Sequence, residues 1–300
     1  MPYEYAIADV FTDRSFGGNQ LAVVLDAQGL STEQMQAIAR EFNFAETTFV
    51  LPPDEPGATA RLRIFTPGAE LPFAGHPTVG SAAVLGALGR VPVTAEGAHV
   101  VFHEQVGPVE VSVTGVGGAL AAELRLAAVL TEPASAPPTD AVAAALSLPG
   151  AAVLEAWYAG VGMACGFARL ASEADVDAAR LDPAAWASAF AGGTSPILHF
   201  FAGDLVDGAD LYARMFAPEL GISEDPATGG AVAALVACLA QRDGRPDATV
   251  HLTVRQGFRM GRPSYLRASA RTTGGRLEYV TVGGGVALFA TGVLDAQALS

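Results

Sequence analysis

Two polar residues stand directly before prolines at the starts of two segments rich in small residues. His76 precedes Pro77 and Asp225 precedes Pro226, and the Ala, Val, Leu and Gly that follow predict a helix in each case. Histidine is the usual acid or base near neutral pH, so His76 is a candidate for acid–base chemistry or for a polar anchor. Asp225 is a candidate for the same roles, and the alternative is that it caps its helix. For His76 the alternative is a histidine whose hydrogen bonds are satisfied within a turn.

Glycines accompany both polar residues. Gly75 adjoins His76, and Gly229 and Gly230 follow Asp225 closely. The first turn of a helix has free backbone N–H groups and about half a positive charge, and glycine lets a ligand approach that backbone. Two such turns facing one cleft would hold an anion such as a carboxylate. A single glycine of this kind would only form a tight entry to its helix, but the repetition favours a binding role.

The two segments repeat one pattern. Arg63–Leu88 and Arg214–Leu239 both begin Arg-x-Phe-x-Pro and both end in a glycine turn and a helix without charged residues on most of its length. A helix that is apolar all round is buried on all sides, which indicates a sheet curved around it. We predict an α+β fold of two similar domains, each a barrel-like mixed sheet wrapped around a central apolar helix, with the candidate residues in the cleft between them.

A third candidate, Glu46, lies where a loop becomes a predicted strand, and the alternative is a solvated loop acid. Ser31 and Gln34 predict a capping box at the start of the preceding helix. Further helices are predicted at Pro77–Gly89, at Asp140–Leu146 and, in two pieces, at Asp175–Phe190. Alternation and β-branched residues predict the strands. They are Tyr3–Val10, Leu21–Leu25, Thr47–Leu51, Ala60–Phe65, His99–Phe102, Val109–Thr114, Leu120–Ala127, Val153–Tyr158, Met163–Leu170, Ile197–Phe201, Ala209–Met215, Val250–Arg255, Ser264–Ala270, Arg276–Val282 and Val286–Ala290.

A linker is predicted at residues 129–138, where Pro, Ser and Thr are frequent and large apolar residues are few. We place the N-terminal domain at residues 1–128 together with a C-terminal tail from about residue 288 to 300, and the C-terminal domain at residues 139–287.

Composition excludes several classes of protein. The net charge of −14 argues against a nucleic-acid partner. All 17 basic residues are Arg, and without Lys there is no pyridoxal-phosphate aldimine, no Schiff-base chemistry and no P-loop lysine. Neither a membrane span nor a secretory signal is predicted, so we expect a cytoplasmic protein. Cys165 and Cys238 form no CxxC pair, so neither a disulfide framework nor structural zinc is expected.

The motifs along the chain together resemble those of the PhzF family of phenazine-biosynthesis isomerases, in family order. They are Asp9-x-Phe11, Gly18-Asn19-x-Leu-Ala-Val-Val, Ala45-Glu46-Thr47-Thr48-Phe49-Val50, Arg63-x-Phe-Thr-Pro, Leu71-Pro72-Phe73-Ala74-Gly75-His76-Pro77-Thr78, Glu224-Asp225-Pro226-Ala227-Thr228-Gly229, and Gln256-Gly257 with Met260-Gly261-Arg262-Pro263-Ser264.

This resemblance implies a diaminopimelate-epimerase-like fold, no metal, no organic cofactor, a small-molecule carboxylate substrate and a homodimer. The best-understood reaction of the family moves a proton between ring carbons of trans-2,3-dihydro-3-hydroxyanthranilate. By resemblance the proton-moving residue is Glu46, and His76 and Asp225 hold polar groups of the substrate. Asn19 and the backbone at three glycines are implied in substrate binding. Those glycines are Gly75, Gly229 and Gly230.

The chain also departs from the family pattern. Ala45 stands where the family often has Ser, Gly230 where it often has Ser, and Gln20 where it often has Pro. Two polar groups near the substrate are therefore absent or moved, which bears on the substrate more than on the chemistry. Glu46 would need a raised carboxylate pKa, which a desolvated cleft supplies.

Three other functions are alternatives for this chain. A racemase or epimerase of the same fold would need two thiols at the helix starts, where this chain has Ala74-Gly75 and Ala227-Thr228. The second alternative is a protein of this fold that binds a small molecule without catalysing a reaction. A metalloenzyme built on His99 and His103 is the third, but residues four apart in a strand stand about 13 Å apart.

Overall fold

The computed structural model describes residues 2–116, 119–127, 129–133, 135–190 and 193–295. Its contacts divide the chain into two units, Met1–Leu126 with Gly283–Ser300, and Ala127–Val282. The predicted domain limits and the linker at 129–138 stay predictions. Residues 1, 117–118, 128, 134, 191–192 and 296–300, which those predictions include, lie outside the described residues.

The described part of the first unit begins with strands and contains two helices. Its elements are β1 Tyr3–Val10, β2 Asn19–Val24, α1 Thr32–Phe42, β3 Glu46–Leu51, β4 Ala60–Phe65, β5 Glu70–Leu71, α2 Gly75–Ala87, β6 Ala98–Glu104, β7 Gly107–Val116 and β8 Ala119–Ala127. The second unit follows with α3 Thr139–Ala145, β9 Val153–Val161, β10 Met163–Leu170, α4 Glu173–Ala178, α5 Pro183–Phe190, β11 Leu198–Ala202, β12 Ala209–Phe216, α6 Gly229–Asp243, β13 Ala248–Gln256, β14 Ser264–Thr273 and β15 Arg276–Leu294. The end of β15 belongs to the first unit.

The sheet of the first unit closes on itself. The strand order is β1-β2-β3-β4-β6-β7-β8-β15, and β15 also pairs with β1. Most neighbours are antiparallel, whereas β2 with β3 and β4 with β6 are parallel. A closed sheet has no free edge and encloses an interior, and α2 fills it, in contact with β1, β2, β3, β6 and β7.

The small residues of α2 are required by this enclosure. Every residue from His76 to Leu85 is buried. At Gly80 an added Cβ would lie 2.5 Å from Leu21 Cδ2 and 2.6 Å from Val10 Cγ2, so a larger residue would push the helix away from β1 and β2. The prediction of an apolar helix inside a curved sheet is confirmed for this unit.

The second unit has a sheet in the order β15-β14-β13-β12-β11-β10-β9. Its central helix, α6, is buried from Ala231 to Ala240 and packs on β9, β10, β13 and β14. Helices α3, α4 and α5 contribute to a separate core with the sheet, whose large residues include Trp186, Phe190, Phe200 and Phe216. The two-piece helix predicted at Asp175–Phe190 is confirmed, because Pro183 begins α5.

The structure also changes some predicted boundaries. α2 begins at Gly75, two residues before the predicted start, so His76 lies within the first turn. The prediction of separate strands at Arg276–Val282 and Val286–Ala290 is wrong, since β15 runs without interruption through the three glycines between them. The capping box of α1 is confirmed, with Ser31 and Gln34 bonded reciprocally. Within the described part of the chain, no helix is long and apolar enough to cross a membrane.

Candidate active site

Glu46 and His76 meet in the first unit. Glu46 is the first residue of β3, and His76 is the second residue of α2. Glu46 Oε2 lies 3.5 Å from His76 Nδ1, and the side chains are 17% and 7% exposed. The structure thus brings together two of the three residues that the sequence predicted to be catalytic, and the Glu46 side chain remains partly exposed although its Oε2 is buried.

The other ring nitrogen of His76 fixes the tautomer. Nε2 lies 3.3 Å from the backbone carbonyl of Gln20, and a carbonyl can only accept, so Nε2 carries the proton. Burial lowers the pKa of His76 to about 4, against a smaller opposing effect of that hydrogen bond. His76 is therefore neutral at pH 7, and its Nδ1 presents a lone pair to Glu46.

The remaining predicted residues of this unit lie beside His76. Asn19 is the first residue of β2, is 3% exposed and pairs with Val10 of β1. Its neighbour Gln20 provides the carbonyl that orients His76. Gly75 is the first residue of α2, whose N-cap, Ala74, makes no side-chain capping bond. The first-turn N–H groups of α2 are thus not used by a capping side chain.

Asp225 of the second unit does not cap its helix. The N-cap of α6 is Thr228, so the alternative reading of Asp225 as an N-cap is wrong. Asp225 is 9% exposed, and its Oδ2 accepts a 2.7 Å hydrogen bond from the Thr228 hydroxyl. Its N–H donates to Met215 O at 3.1 Å. The carboxylate is therefore held against the first turn of α6, next to Gly229 and Gly230.

Gln256, the last residue of β13, holds this turn in place. Its side chain is fully buried, and Nε2 donates to Asp225 O at 2.8 Å and to Thr228 Oγ1 at 2.9 Å. Its Oε1 lies 3.4 Å from the N–H of Thr228. Gly257 follows with a φ of 78°, and a Cβ there would lie 2.7 Å from Pro226 O, so only glycine fits against the turn.

His199 of β11 orients the Gln256 amide from the other side. His199 Nε2 lies 3.3 Å from Gln256 Oε1, and burial lowers the pKa of His199 to about 4. The donors therefore run in one direction, from His199 to Gln256, from Gln256 to Thr228 and from Thr228 to Asp225. This direction makes Asp225 Oδ2 an acceptor.

Gln256→Met is expected to lower the free energy of unfolding of the second unit by about 2–4 kcal/mol, because buried partners of the amide lose their hydrogen bonds. Both tryptophans, Trp157 and Trp186, lie in this unit, so urea unfolding followed by Trp fluorescence measures the effect. The matched control is Gln36→Met, which removes an amide that donates to Thr66 O and Pro67 O in the first unit. Equal fluorescence transitions for the Gln256 variant and the parent protein would contradict the prediction.

The repeated Arg-x-Phe-x-Pro pattern has the same structural use in both units. Arg63 forms two 2.7 Å hydrogen bonds with the carboxylate of Glu70. Arg214 forms bonds of 2.8 and 2.9 Å with that of Glu224. Each guanidinium lies over the phenylalanine two residues on, 5.1 Å from the Phe65 ring centre and 5.0 Å from that of Phe216. The arginines thus tie down the loops that lead to α2 and α6.

The thiols are not placed for a two-thiol racemase. Cys165 lies in β10 and Cys238 well inside α6, and both are buried. Burial raises the pKa of Cys165 to about 12 and that of Cys238 to about 11, so both are protonated thiols at neutral pH. Among the described residues, no group of three or more His, Cys, Asp or Glu could hold a metal ion.

The sequence did not point to several residues of the two clusters, of which the first surrounds Glu46 and His76 and the second surrounds Asp225. Gln256 stood within a quoted motif, but nothing in its spacing linked it to Asp225. His199 lies in a strand of large apolar residues and gave no signal. Gln20 acts through its backbone, which no side-chain pattern reports.

Comparison with known proteins identifies the family. Residues 8–292 match the PhzC-PhzF family, described as phenazine biosynthesis-like protein. The chain is 41% identical over 309 residues to an uncharacterized isomerase of Mesorhizobium japonicum, covering 97% of this chain and 98% of the relative. It is 34% identical over 290 residues to the trans-2,3-dihydro-3-hydroxyanthranilate isomerase of Pseudomonas aeruginosa, with coverage of 97% and 98%.

A solved structure gives the fold independently. The Bacillus anthracis phenazine biosynthesis protein of the PhzF family matches with a TM-score of 0.84 at 23% identity, covering 98% of this chain and 99% of the other. The predicted α+β fold class is confirmed by this likeness, and the prediction of an isomerase is confirmed by the relatives. The chain therefore belongs to the PhzC-PhzF family of phenazine biosynthesis-like proteins and is an isomerase of that family.

Proposed function

We propose that the protein moves a proton between two carbons of a small carboxylate-bearing metabolite, dihydroaromatic or amino acid-like, and that Glu46 carries this proton. The observation that supports the proposal best is the contact of 3.5 Å between Glu46 Oε2 and His76 Nδ1. His76 is neutral, so Nδ1 can accept a hydrogen bond from Glu46 whenever Glu46 holds the proton. The pair is thus suited to take up a proton and to hold it briefly.

The reaction needs no external oxidant or reductant. Glu46 breaks a C–H bond adjacent to a conjugated system, the electron pair shifts along that system, and the same proton forms a C–H bond at another carbon. Positioned acid–base catalysis of this kind typically contributes about 10²–10⁴ in rate. This chain's own side chains supply every proton-moving step of the proposal.

The substrate would be held at the starts of α2 and α6. The first-turn N–H groups, at Gly75 in one helix and at Gly229 and Gly230 in the other, favour a carboxylate. Asp225 Oδ2 accepts from Thr228, so Asp225 is suited to hold an amino or hydroxyl group of the substrate. Joint action of the two clusters on one substrate is part of this proposal, and it rests on the repeated sequence pattern and on the family.

The proposed chemical class of the substrate is supported by the relatives, and Gly230 bears on how far the substrate can differ from theirs. The Pseudomonas aeruginosa relative is named for trans-2,3-dihydro-3-hydroxyanthranilate, a cyclic amino carboxylate, which we propose as the first compound to test. A Cβ added at Gly230 would meet nothing within 4 Å. Packing therefore does not require glycine there, and the missing hydroxyl leaves room for a substrate that differs from that compound.

The test is incubation in D₂O with trans-2,3-dihydro-3-hydroxyanthranilate and with a panel of small unsaturated and amino carboxylates. Mass spectrometry and NMR would measure deuterium at carbon and the position of the double bond. We expect isomerisation of at least one compound, with deuterium at the new C–H position when the proton on Glu46 exchanges with solvent before it is returned. Binding of several compounds without exchange or isomerisation of any would contradict the proposal and would support the alternative of a non-catalytic binder.

We further propose that the protein is cytoplasmic and a homodimer. Cell fractionation would test the location, and analytical ultracentrifugation would test the oligomeric state.

A further inference from the structure

Glu104, the last residue of β6, is a buried acid that the proposed reaction does not use. It is 3% exposed and faces the interior of the closed sheet. Its Oε1 lies 2.7 Å from the hydroxyl of Thr78, in the first turns of α2. Its Oε2 is buried and has no hydrogen-bond partner among the described residues. Burying an acid is costly unless it is neutral or paired, and this acid lies beside the helix that carries Gly75 and His76.

The contacts of the Thr78 hydroxyl indicate the protonation state of this acid. The Thr78 hydroxyl lies 2.8 Å from Ala74 O and 2.7 Å from Glu104 Oε1, two short oxygen–oxygen contacts. Each contact needs a proton, and the hydroxyl has one. Because the Ala74 carbonyl can only accept, Thr78 donates to it, and the second proton comes from Glu104. Glu104 is therefore a neutral carboxylic acid that donates to Thr78.

The surroundings of Glu104 agree with a neutral acid. Burial raises the pKa of Glu104 to about 8. Alternating burial turns the other titratable residues of β6, and those of the neighbouring strands β4 and β7, to the outer face of the sheet. These are His99, His103, Arg61, Arg63 and Glu110. From α2 the titratable group is His76, which is neutral at pH 7.

The neutral state has a consequence for α2. The start of this helix has a partial positive charge that attracts anions. A carboxylate at Glu104 would satisfy that charge from inside the protein and would compete with any anion outside. A neutral acid keeps the Ala74 carbonyl tied through Thr78 and leaves the partial charge available.

We propose that Glu104 is a positioning residue which, as a neutral acid, ties the start of α2 through Thr78 and keeps this helix end able to hold the carboxylate of the substrate. The inference rests on the proposed function, since it assumes that an anion binds there. It predicts that loss of the Glu104 proton weakens anion binding while leaving the proton-moving pair in place.

The experiment compares the full-length protein with Glu104→Gln, whose amide can donate to Thr78 but cannot ionise. The probe is anthranilate, a stable aromatic amino carboxylate, and its Kd is measured by calorimetry at pH 7 and pH 9. The parent Kd is expected to rise about tenfold at pH 9, because only about a tenth of the molecules then retain the Glu104 proton. The Glu104→Gln Kd is expected to stay within about twofold between the two pH values. A parallel rise in both proteins would overturn the proposal.

Thr78 variants separate positioning from simple stability. Thr78→Val removes the hydroxyl that joins Glu104 to Ala74 at nearly constant volume, and it is expected to raise the anthranilate Kd at pH 7 about fivefold. Thr78→Ser retains the hydroxyl and is expected to restore the parent Kd. Folding is checked for each variant by circular dichroism. Equal anthranilate affinities in the Thr78→Val and Thr78→Ser variants would overturn the proposal that Glu104 acts through the Thr78 hydroxyl.

A spectroscopic readout is independent of any ligand. The infrared difference spectrum between pH 7 and pH 9.5 is expected to contain the C=O band of a carboxylic acid in the parent protein and to lack it in Glu104→Gln. Absence of the band in the parent protein overturns the proposal even if the isomerase activity is found. Presence of the band with no anthranilate binding in either protein overturns the anion-holding part and counts against the proposed function as well.

Discussion

Replacing Glu46 with Gln is expected to lower kcat by about 10²–10⁴, with a much smaller change in KM. Gln keeps the size and polarity of the side chain but cannot carry a proton between carbons. Its amide could still donate to His76 Nδ1, which lies 3.5 Å from Glu46 Oε2 in the parent protein. The contact between the two side chains is therefore expected to remain. The measurement is the initial rate with the compound that shows isomerisation, together with deuterium uptake in D₂O.

Two further variants control for charge and for reach. Glu41→Gln changes an exposed acid in α1 and is expected to leave both kinetic constants unchanged. Glu46→Asp keeps the carboxyl but shortens its reach, and an intermediate kcat is expected because proton transfer depends on distance. Retention of more than a tenth of the parent kcat by Glu46→Gln would show that another group moves the proton.

Replacing Arg214 with Met is expected to have the largest effect on stability, a loss of about 3–5 kcal/mol in the free energy of unfolding of the second unit. The side chains of Arg214 and Glu224 are only 6% and 17% exposed. The guanidinium also donates to the carbonyls of Val176 and Ala179, each at 2.9 Å. Its removal leaves a buried carboxylate and two carbonyls without their donor.

Urea unfolding followed by Trp fluorescence measures this loss, because both tryptophans lie in the second unit. The double variant Arg214→Met with Glu224→Gln is expected to recover part of the loss, since the unpaired charge is removed. The matched control is Arg63→Met, the corresponding position of the first unit. Its pair with Glu70 is more exposed, at 16% and 22%, and the fluorescence transition is expected to move little. A loss below about 1 kcal/mol for Arg214→Met would mean that the pair acts as a surface ion pair.

Much of the fold follows from local patterns. Two apolar helices rich in small residues require enclosing sheets, and the repeated arginine pattern indicates that the enclosure occurs twice. Boundaries were less well predicted at β15, where separate strands were expected on either side of Gly283–Gly285. The strand continues there because the glycines permit close approach: a Cβ at Gly283 would lie 2.5 Å from Ala122 O. That reason lies in another strand and cannot be read locally.

The sequence by itself determined the family, the isomerase class and the identity of Glu46, His76 and Asp225 as candidates, because side-chain chemistry and motif order are properties of the chain. Tertiary structure decided where protons lie around His76, Asp225 and Glu104. The tautomer of His76 depends on a carbonyl 56 residues away, and the acceptor role of Asp225 depends on Gln256 and Thr228. Glu104 keeps its proton because it is buried and because the Thr78 hydroxyl donates its one proton to Ala74 O. A proton's position is set by the donors, acceptors and water around a group, and only the folded chain brings these together.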